Sequence, residues 1–478
     1  CNMVFPIAGG NESKGYEVSN SIRLDDGSNS FLSKSFGSDG NRRTFTFSCW
    51  TKGQADSSAY HSLFTSGNDN PDTSIWFNPD EALRTNTYNS GSIHDVITNR
   101  VFRDPSAWYH IVVAYDTTQS TASNRVKIYV NGVQETSFST SSYPDQNYET
   151  FINDASYTHR VGSHTSSAYA GDGYLCEVAF IDGTQYAASN FGEFDDNGVW
   201  IPKDFKNDVT FGSNGFYLEF KQTGTSADSS GIGADTSGND NHFSVTSLAA
   251  TDVTEDTCTN NFATMNPLES DRQQGGAATF AEGNLQITTS YVDANYQRYP
   301  QVYSTQAASS GKWYFEMKIA DSDTDSAMGI HSPDNYSSDS TTNPYGGYAT
   351  TSCIYTSRGA VRINDGNNTG HGTWSQNDII GCALDIDNSK VYFHKNGTYI
   401  QSGDPAGNSG GQAIPSGYTY GFTVGADAAS DSGIMQVNFG NPIHTISSGN
   451  TDGKYGNFEY AVPSGFYAVC TKRLAEFG

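Results

Sequence analysis

Arg43-Thr44-Phe45-Thr46-Phe47-Ser48-Cys49-Trp50 alternates with a period of two. Phe45, Phe47 and Cys49 share one face of an extended chain and Thr44, Thr46 and Ser48 the other, because successive side chains of a β-strand point to opposite sides. The period recurs outward from this stretch. Val126-Lys127-Ile128-Tyr129-Val130 alternates up to Asn131-Gly132, a pair that tolerates positive φ and marks a hairpin. Gly173 to Ile181 reads as a strand whose inward set is Tyr174, Cys176, Val178 and Phe180. After Pro267, Trp313, Phe315, Met317 and Ile319 alternate with Tyr314, Glu316 and Lys318. Ile380, Cys382, Leu384 and Ile386 form one face of a further strand, Val391 to His394 leads into Asn396-Gly397, and Met435, Val437 and Phe439 close the series. The best helical stripe, Tyr186 to Phe194, is little more than two turns.

The 478 residues are too many for one ordinary core, so two domains are expected. Their 49 Gly, 29 Tyr and 27 Phe against 5 Met suit pleated strands joined by turns rather than helices. The fold class is therefore all-β, with two antiparallel β-sandwich domains in tandem. An N-terminal extension over 1–14 precedes a first sandwich over 15–222. A Ser/Asp/Gly-rich linker over 223–275 leads to a second sandwich over 276–445 and a C-terminal extension over 446–478.

The formal net charge of −26 repels phosphate, which excludes nucleic acid and anionic lipid as partners and leaves carboxylates for divalent cations. No apolar run of about twenty residues exists, so membrane insertion is not expected. The sequence opens on Cys1 rather than Met, as a processed product would. Seven dispersed cysteines form neither a disulfide framework nor a metal motif. Cys49 and Cys176 both read as inward-facing on strands that could be neighbours, and a disulfide and two buried thiols both remain open there.

Four strands in order, Thr44 to Lys52, Trp108 to Asp116, Val126 to Gly132 and Asp172 to Val178, resemble the laminin-G-like (LamG, concanavalin A-like) jelly roll over roughly residues 15 to 200. Gly311 to Glu316, Asp378 to Asp387 and Lys390 to Gly397 resemble a SPRY domain over about 276 to 445. These resemblances imply the jelly-roll form of the two sandwiches. The pair, with Phe5 to Gly10, Asn41 to Thr46, Val101 to His110, Phe191 to Asp195 and Asn261 to Leu268, is similar to LamG-plus-SPRY proteins of tailed, chiefly marine, bacteriophages. That resemblance implies a virion appendage or surface protein of tail- or head-fibre type. It would be assembled in the host cytoplasm, exposed on the particle, partnered by other virion proteins and homo-oligomeric, with a trimer favoured.

The concanavalin A-like fold also hosts glucanases, which need two carboxylates closely spaced on one strand. Glu177 and Glu316 stand alone in their strands and no nucleophile-elbow pattern occurs, so the chain reads as a binding protein, not an enzyme. No cofactor is required. Calcium is the one candidate: the resemblance points to Asp172 as a rim ligand, with Asp116 as a weaker second. Asp321-x-Asp323-x-Asp325 lacks the Gly and distal Glu of a calcium loop, and Asp385-x-Asp387-Asn388 reads as a strand-end turn. Aromatic residues in polar loops are the candidate contacts for host-surface glycan or protein: Tyr60, His61 and Trp76 in the first block, Tyr336, Tyr345, Tyr348 and Trp374 in the second. The rivals are purely architectural decoration or fibre assembly and, less favoured, a polysaccharide depolymerase.

Overall fold

A computed structural model describes residues 15–53, 59–165, 169–269, 276–291, 301–321, 326–335, 350–363, 366–426 and 433–478. One unit ends at Thr259 and a second runs from Asn260 to Gly478.

In the first unit the alternation around Phe45 builds Thr44–Gly53, which lies between Tyr109–Asp116 and Gly173–Asp182 in an eight-stranded antiparallel sheet. A second eight-stranded sheet includes Ser92–Val101, Ala82–Asn89, Asp72–Phe77, His61–Gly67 and His159–Val161 in that order. Phe45, Phe47 and Cys49 meet Phe64, Ile75, Leu83 and Val96 between the sheets, and Phe47 stacks on Phe64 at 5.0 Å. Thr46 and Ser48 are equally buried, because Phe191, Phe205, Phe211 and Tyr217 cover the other face of that sheet. Polar side chains there are satisfied locally: Thr46 Oγ1 donates to Thr184 O and accepts from Tyr186 N–H, both at 2.8 Å.

One strand departs from simple alternation. Glu177 takes φ +52°, and the register against Thr44–Gly53 shifts between Cys176 and Ala179. The extra residue of this β-bulge reverses the phase. Leu175 therefore joins Val178 and Phe180 in the core. Tyr174 turns to the other side against Lys52, and Cys176 joins Trp50 and Val18 there. Cys49 and Cys176 thus sit on opposite faces of one sheet, and both are free thiols.

The segment read as a linker belongs largely to the first sandwich. Ile232, Phe243 and Leu248 are buried in its core, with Phe216 and Phe243 ring centroids 4.6 Å apart. Val253–Thr254 pairs with Ser21–Ile22, and Ser244–Thr246 with Phe31–Ser33. Its Ser/Asp/Gly content builds turns: the Asp235 carboxylate accepts the N–H groups of Tyr217, Ser237 and Asn241, each at 2.8 Å. Few apolar residues are needed when the largest of them, Ile232, Phe243 and Leu248, are fully inserted.

In the second unit Lys312–Ile319 lies between Gly433–Asn438 and Ile379–Asp385 in a nine-stranded sheet, which faces a six-stranded sheet containing Tyr420–Ala426 and Ser326–His331. Trp313, Phe315, Met317, Cys382 and Val437 meet Met328, Phe422 and Val424 in the core, as the alternation predicts. The stretch read as a C-terminal extension is instead packed onto this sandwich. Phe458, Phe466, Ala468 and Cys470 bury Tyr314, Ala383 and Tyr392 on the outer face of the larger sheet. Upstream, Ala263 and Met265 enter the main core, so the unit begins before residue 276. The α-helix Thr471–Phe477 lies at its end.

Candidate functional site

The outer face of the second sheet of the first sandwich carries an unusual row of side chains. Register sets Trp76 opposite Arg84, Ser74 opposite Asn86, and Asp72 opposite Tyr88, so alternate residues of neighbouring strands share that face. Trp76, Arg84, Asn86 and Tyr88 line a groove of about 420 Å³, together with Tyr60, Asp69, Asp72, Ile93, His164 and Tyr169. That volume falls within the range of about 300–1,000 Å³ typical of small-molecule sites.

Rings make up one wall. The Trp76 centroid lies 5.2 Å from Tyr60, 5.4 Å from Tyr169 and 5.5 Å from His164. Charged groups make up the rest. Arg84 stands 5.5 Å over the Trp76 ring and forms a bidentate pair with Asp95 at 2.7 and 2.9 Å. His164 lies between two carboxylates, with Nδ1 3.0 Å from Asp69 and Nε2 3.5 Å from Asp72, and Asp72 also accepts from Ser74 Oγ at 2.6 Å. Two lining residues carry buried polar atoms with no hydrogen-bond partner, Nε1 of Trp76 and Oδ1 of Asn86. A buried polar atom without a partner costs about 1–3 kcal/mol, a cost that a ligand hydroxyl reaching it would remove.

Of the aromatic candidates, Tyr60 and Trp76 are brought together here, but Trp76 is not an exposed loop aromatic: it lies within Asp72–Phe77 and is 6% exposed, with Tyr60, Tyr169 and His164 packed against it. His61 lines a different, smaller pocket with Asp104, Tyr109 and Asp172. Trp374 is not an exposed loop aromatic: it is buried in the second core and stacked on Tyr355 at 5.4 Å. The turn containing Gly370 and Gly372 folds it inward, and Tyr355 Oη donates to Gly372 O at 2.8 Å. Tyr336, Tyr345 and Tyr348 lie outside the described residues. Sequence reading did not single out Arg84, Asn86 and Tyr88, although their alternation opposite Trp76 was a usable signal. His164 and Tyr169, nearly a hundred residues further along, carried none.

Asp172 gathers with Asp25 and Asp26, with carboxylate oxygens of the three within 4.8 Å of one another, a hard-oxygen set suited to Ca²⁺. Asp116 does not join them. Burial pulls its pKa up, but bonds from Thr118, Gln119 and Thr44 prevail and hold the carboxyl below its ordinary range. It accepts from Thr118 Oγ1 at 2.6 Å and Gln119 Nε2 at 2.5 Å, so it caps a turn. The lone strand glutamates are likewise remote from the groove: Glu177 bonds to Tyr217, and Glu316 accepts Tyr314 Oη at 2.9 Å.

Residues 25–188 match the family model of the concanavalin A-like lectin/glucanases superfamily, in its laminin-G form, and residues 312–403 match that of the SPRY domain. The chain is thus an all-β protein of two sandwich domains, a LamG-like one followed by a SPRY-like one, both of kinds that bind ligands. Solved structures similar to it include the SPRY domain of human HERC1, with a TM-score of 0.27, 13% identity, and coverage of 36% of this chain and 96% of that one. Another is a stonustoxin structure, with a TM-score of 0.27, 14% identity, and coverage of 37% of this chain and 27% of that one. No curated protein matches the chain.

Proposed function

We propose that this chain is a non-enzymatic binding protein on the surface of a bacteriophage particle, of tail- or head-fibre type, and that the groove of its first sandwich takes a sugar ring of a host-surface glycan. One observation carries the reading: Trp76 Nε1 and Asn86 Oδ1 lack partners on residues that line a ring-walled groove. A pyranose offers both an apolar face for the rings and hydroxyls that donate and accept. Supplying those bonds removes the desolvation penalty, so binding is favoured where the free protein is frustrated. The resemblance to phage LamG-plus-SPRY proteins supports the particle and, with it, assembly among other virion proteins as a homo-oligomer, a trimer favoured. Calcium at the Asp25, Asp26 and Asp172 corner belongs to the same reading.

The test is an array of bacterial surface glycans probed with the full chain and with Trp76→Ala, each checked for an unchanged melting profile. Binding to a subset of glycans, lost in the variant, is expected. A flat response from the parent overturns the reading.

The architectural alternative has its own observation. Phe194 and Val199, on the two sides of one hairpin turn, are 53% and 56% exposed, an apolar pair suited to a neighbouring subunit. Should the array stay flat, Phe194→Asp would be expected to lower the oligomeric state measured by light scattering.

A further inference from the structure

The chemistry of the groove's ligand follows from its charge, granted the reading of the groove as a sugar site. The four rings Tyr60, Trp76, His164 and Tyr169 touch one another, with centroids 4.9–5.5 Å apart. No cation fits between rings so close, so the cluster offers a stacking surface, not a cage. Three carboxylates, Asp69, Asp72 and Asp95, stand around this surface. Arg84 is the one arginine or lysine among the described lining residues, and its guanidinium is neutralised by the bidentate pair with Asp95. Arg160 lies outside the lining, 5.9 Å over the Phe31 ring, with Asp69 as the carboxylate whose charge reaches it. Asp69 Oδ1 is held by His164 Nδ1 at 3.0 Å and Thr165 Oγ1 at 2.7 Å, whereas its Oδ2 accepts no hydrogen bond from the described residues, and the side chain is 59% exposed.

We infer that the groove selects an amine-bearing pyranose, with the sugar face on the half-buried Tyr60 and Tyr169 rings that pack on Trp76 and the ammonium on Asp69, and that it rejects uronates and other anionic sugars. An ammonium meets an oriented acceptor with an open oxygen. A carboxylate or sulfate meets the like charges of Asp69 and Asp72 beside a guanidinium already paired with Asp95, and such juxtaposition is an effective means of excluding the wrong partner.

The experiment compares three oligosaccharides of equal length on the full-length chain by calorimetry: oligoglucosamine, its N-acetylated twin and oligogalacturonate, at a mildly acidic pH where the amine carries its proton. The amine form is expected to bind about two- to fivefold tighter than its neutral twin at low salt, the range of a partly exposed ion pair, and oligogalacturonate weakest of all. High salt should narrow the ratio, as screening requires. Asp69→Asn should narrow it at low salt. Asn is well tolerated at the Asp69 φ of +66°, so the variant keeps its backbone. Equal or tighter binding of the acetylated twin, or Trp76-dependent binding of oligogalacturonate, overturns the charge inference while leaving the sugar site standing. Absence of binding to these three and to every array glycan overturns both.

Discussion

The His394 imidazole lies so close over Gly381 that a Cβ on the glycine would stand 1.9 Å from Nε2. The two residues face each other across the register of Ile379–Asp385 and Lys390–Lys395. The contact positions a chain of hydrogen bonds. His394 Nδ1 accepts Gly397 N–H at 3.2 Å, so the imidazole, kept neutral by burial, carries its proton on Nε2. Nε2 then donates to Tyr314 Oη at 2.7 Å, which donates to Glu316 at 2.9 Å. Gly381→Ala is expected to displace the ring and lower stability by about 1–3 kcal/mol, the usual effect of overpacking. A urea midpoint equal to that of the parent would refute this.

Glu316 anchors the C-terminal segment by accepting the N–H groups of Glu459 at 2.9 Å and Tyr460 at 2.8 Å. Burial nevertheless dominates and raises its pKa to about 7. The folded value lies above the unfolded one, so this contribution to stability is complete below about pH 4.5 and is lost as the pH rises to about 7. Across that window the group accounts for about 3 kcal/mol. Glu316→Gln, which cannot titrate, should therefore lose less stability than the parent between about pH 5 and about pH 8. Taking the difference between the two proteins cancels His110 and His159, whose burial lowers their pKa to about 3 and works in the opposite direction. Parallel pH profiles for the two proteins would contradict the assignment.

Cys176 Sγ lies 3.8 Å from Cys258 Sγ, both in the layer outside the first sheet. Mild oxidation should therefore join Cys176 to Cys258 and leave Cys49 reduced, because the bulge at Glu177 sets Cys49 and Cys176 on opposite faces. The closed loop of about eighty residues should add about 2–4 kcal/mol. Peptide mass mapping decides it, and a Cys49–Cys176 peptide would count against the bulge.

Calcium separates the two aspartates that sequence reading offered. With saturating Ca²⁺ the parent is expected to gain about 2–3 kcal/mol, as for ligand near a hundredfold over Kd. Asp172→Asn should remove the gain. Asp116→Asn should leave the gain intact and lower stability equally with and without the ion, because its bonds to Thr118 and Gln119 are made within the chain. Melting curves with calcium and with chelator distinguish these outcomes.

Local pattern and long-range assembly were unequally legible in the sequence. Strand period, together with length and composition, led to two all-β domains, since Phe45 and Phe315 sit in alternations that no helix would carry. The bulge at Glu177 was invisible, because one inserted residue leaves a strand looking regular while reversing every side chain after it. Trp374 looked exposed because Gly and Thr flank it, yet a turn folds it onto Tyr355. The groove was half legible: Trp76 and Tyr60 stood out as aromatics, but His164 and Tyr169 arrive from a distant segment. Asp25 and Asp26 reach Asp172 in the same non-local way.

The end of the first sandwich gives the most direct test of that difference. A chain cut at residue 222 would keep every residue matched by the LamG model, which ends at 188, and would look complete by pattern. It would lose Ile232, Phe243 and Leu248 from the core and Asp256 from its buried pair with Lys52, both about fully enclosed. Emptying a core site of one large apolar side chain costs about 2–5 kcal/mol, and stranding one member of a buried ion pair about 3–5 kcal/mol. Together these come to about 9–20 kcal/mol, enough to cancel the 5–15 kcal/mol that holds a typical domain folded. Residues 15–222 should therefore be unfolded or aggregated, whereas 15–259 should give a cooperative melt and a β-type circular-dichroism spectrum. A folded 15–222 fragment would mean that the Ser/Asp/Gly-rich segment is a tether after all.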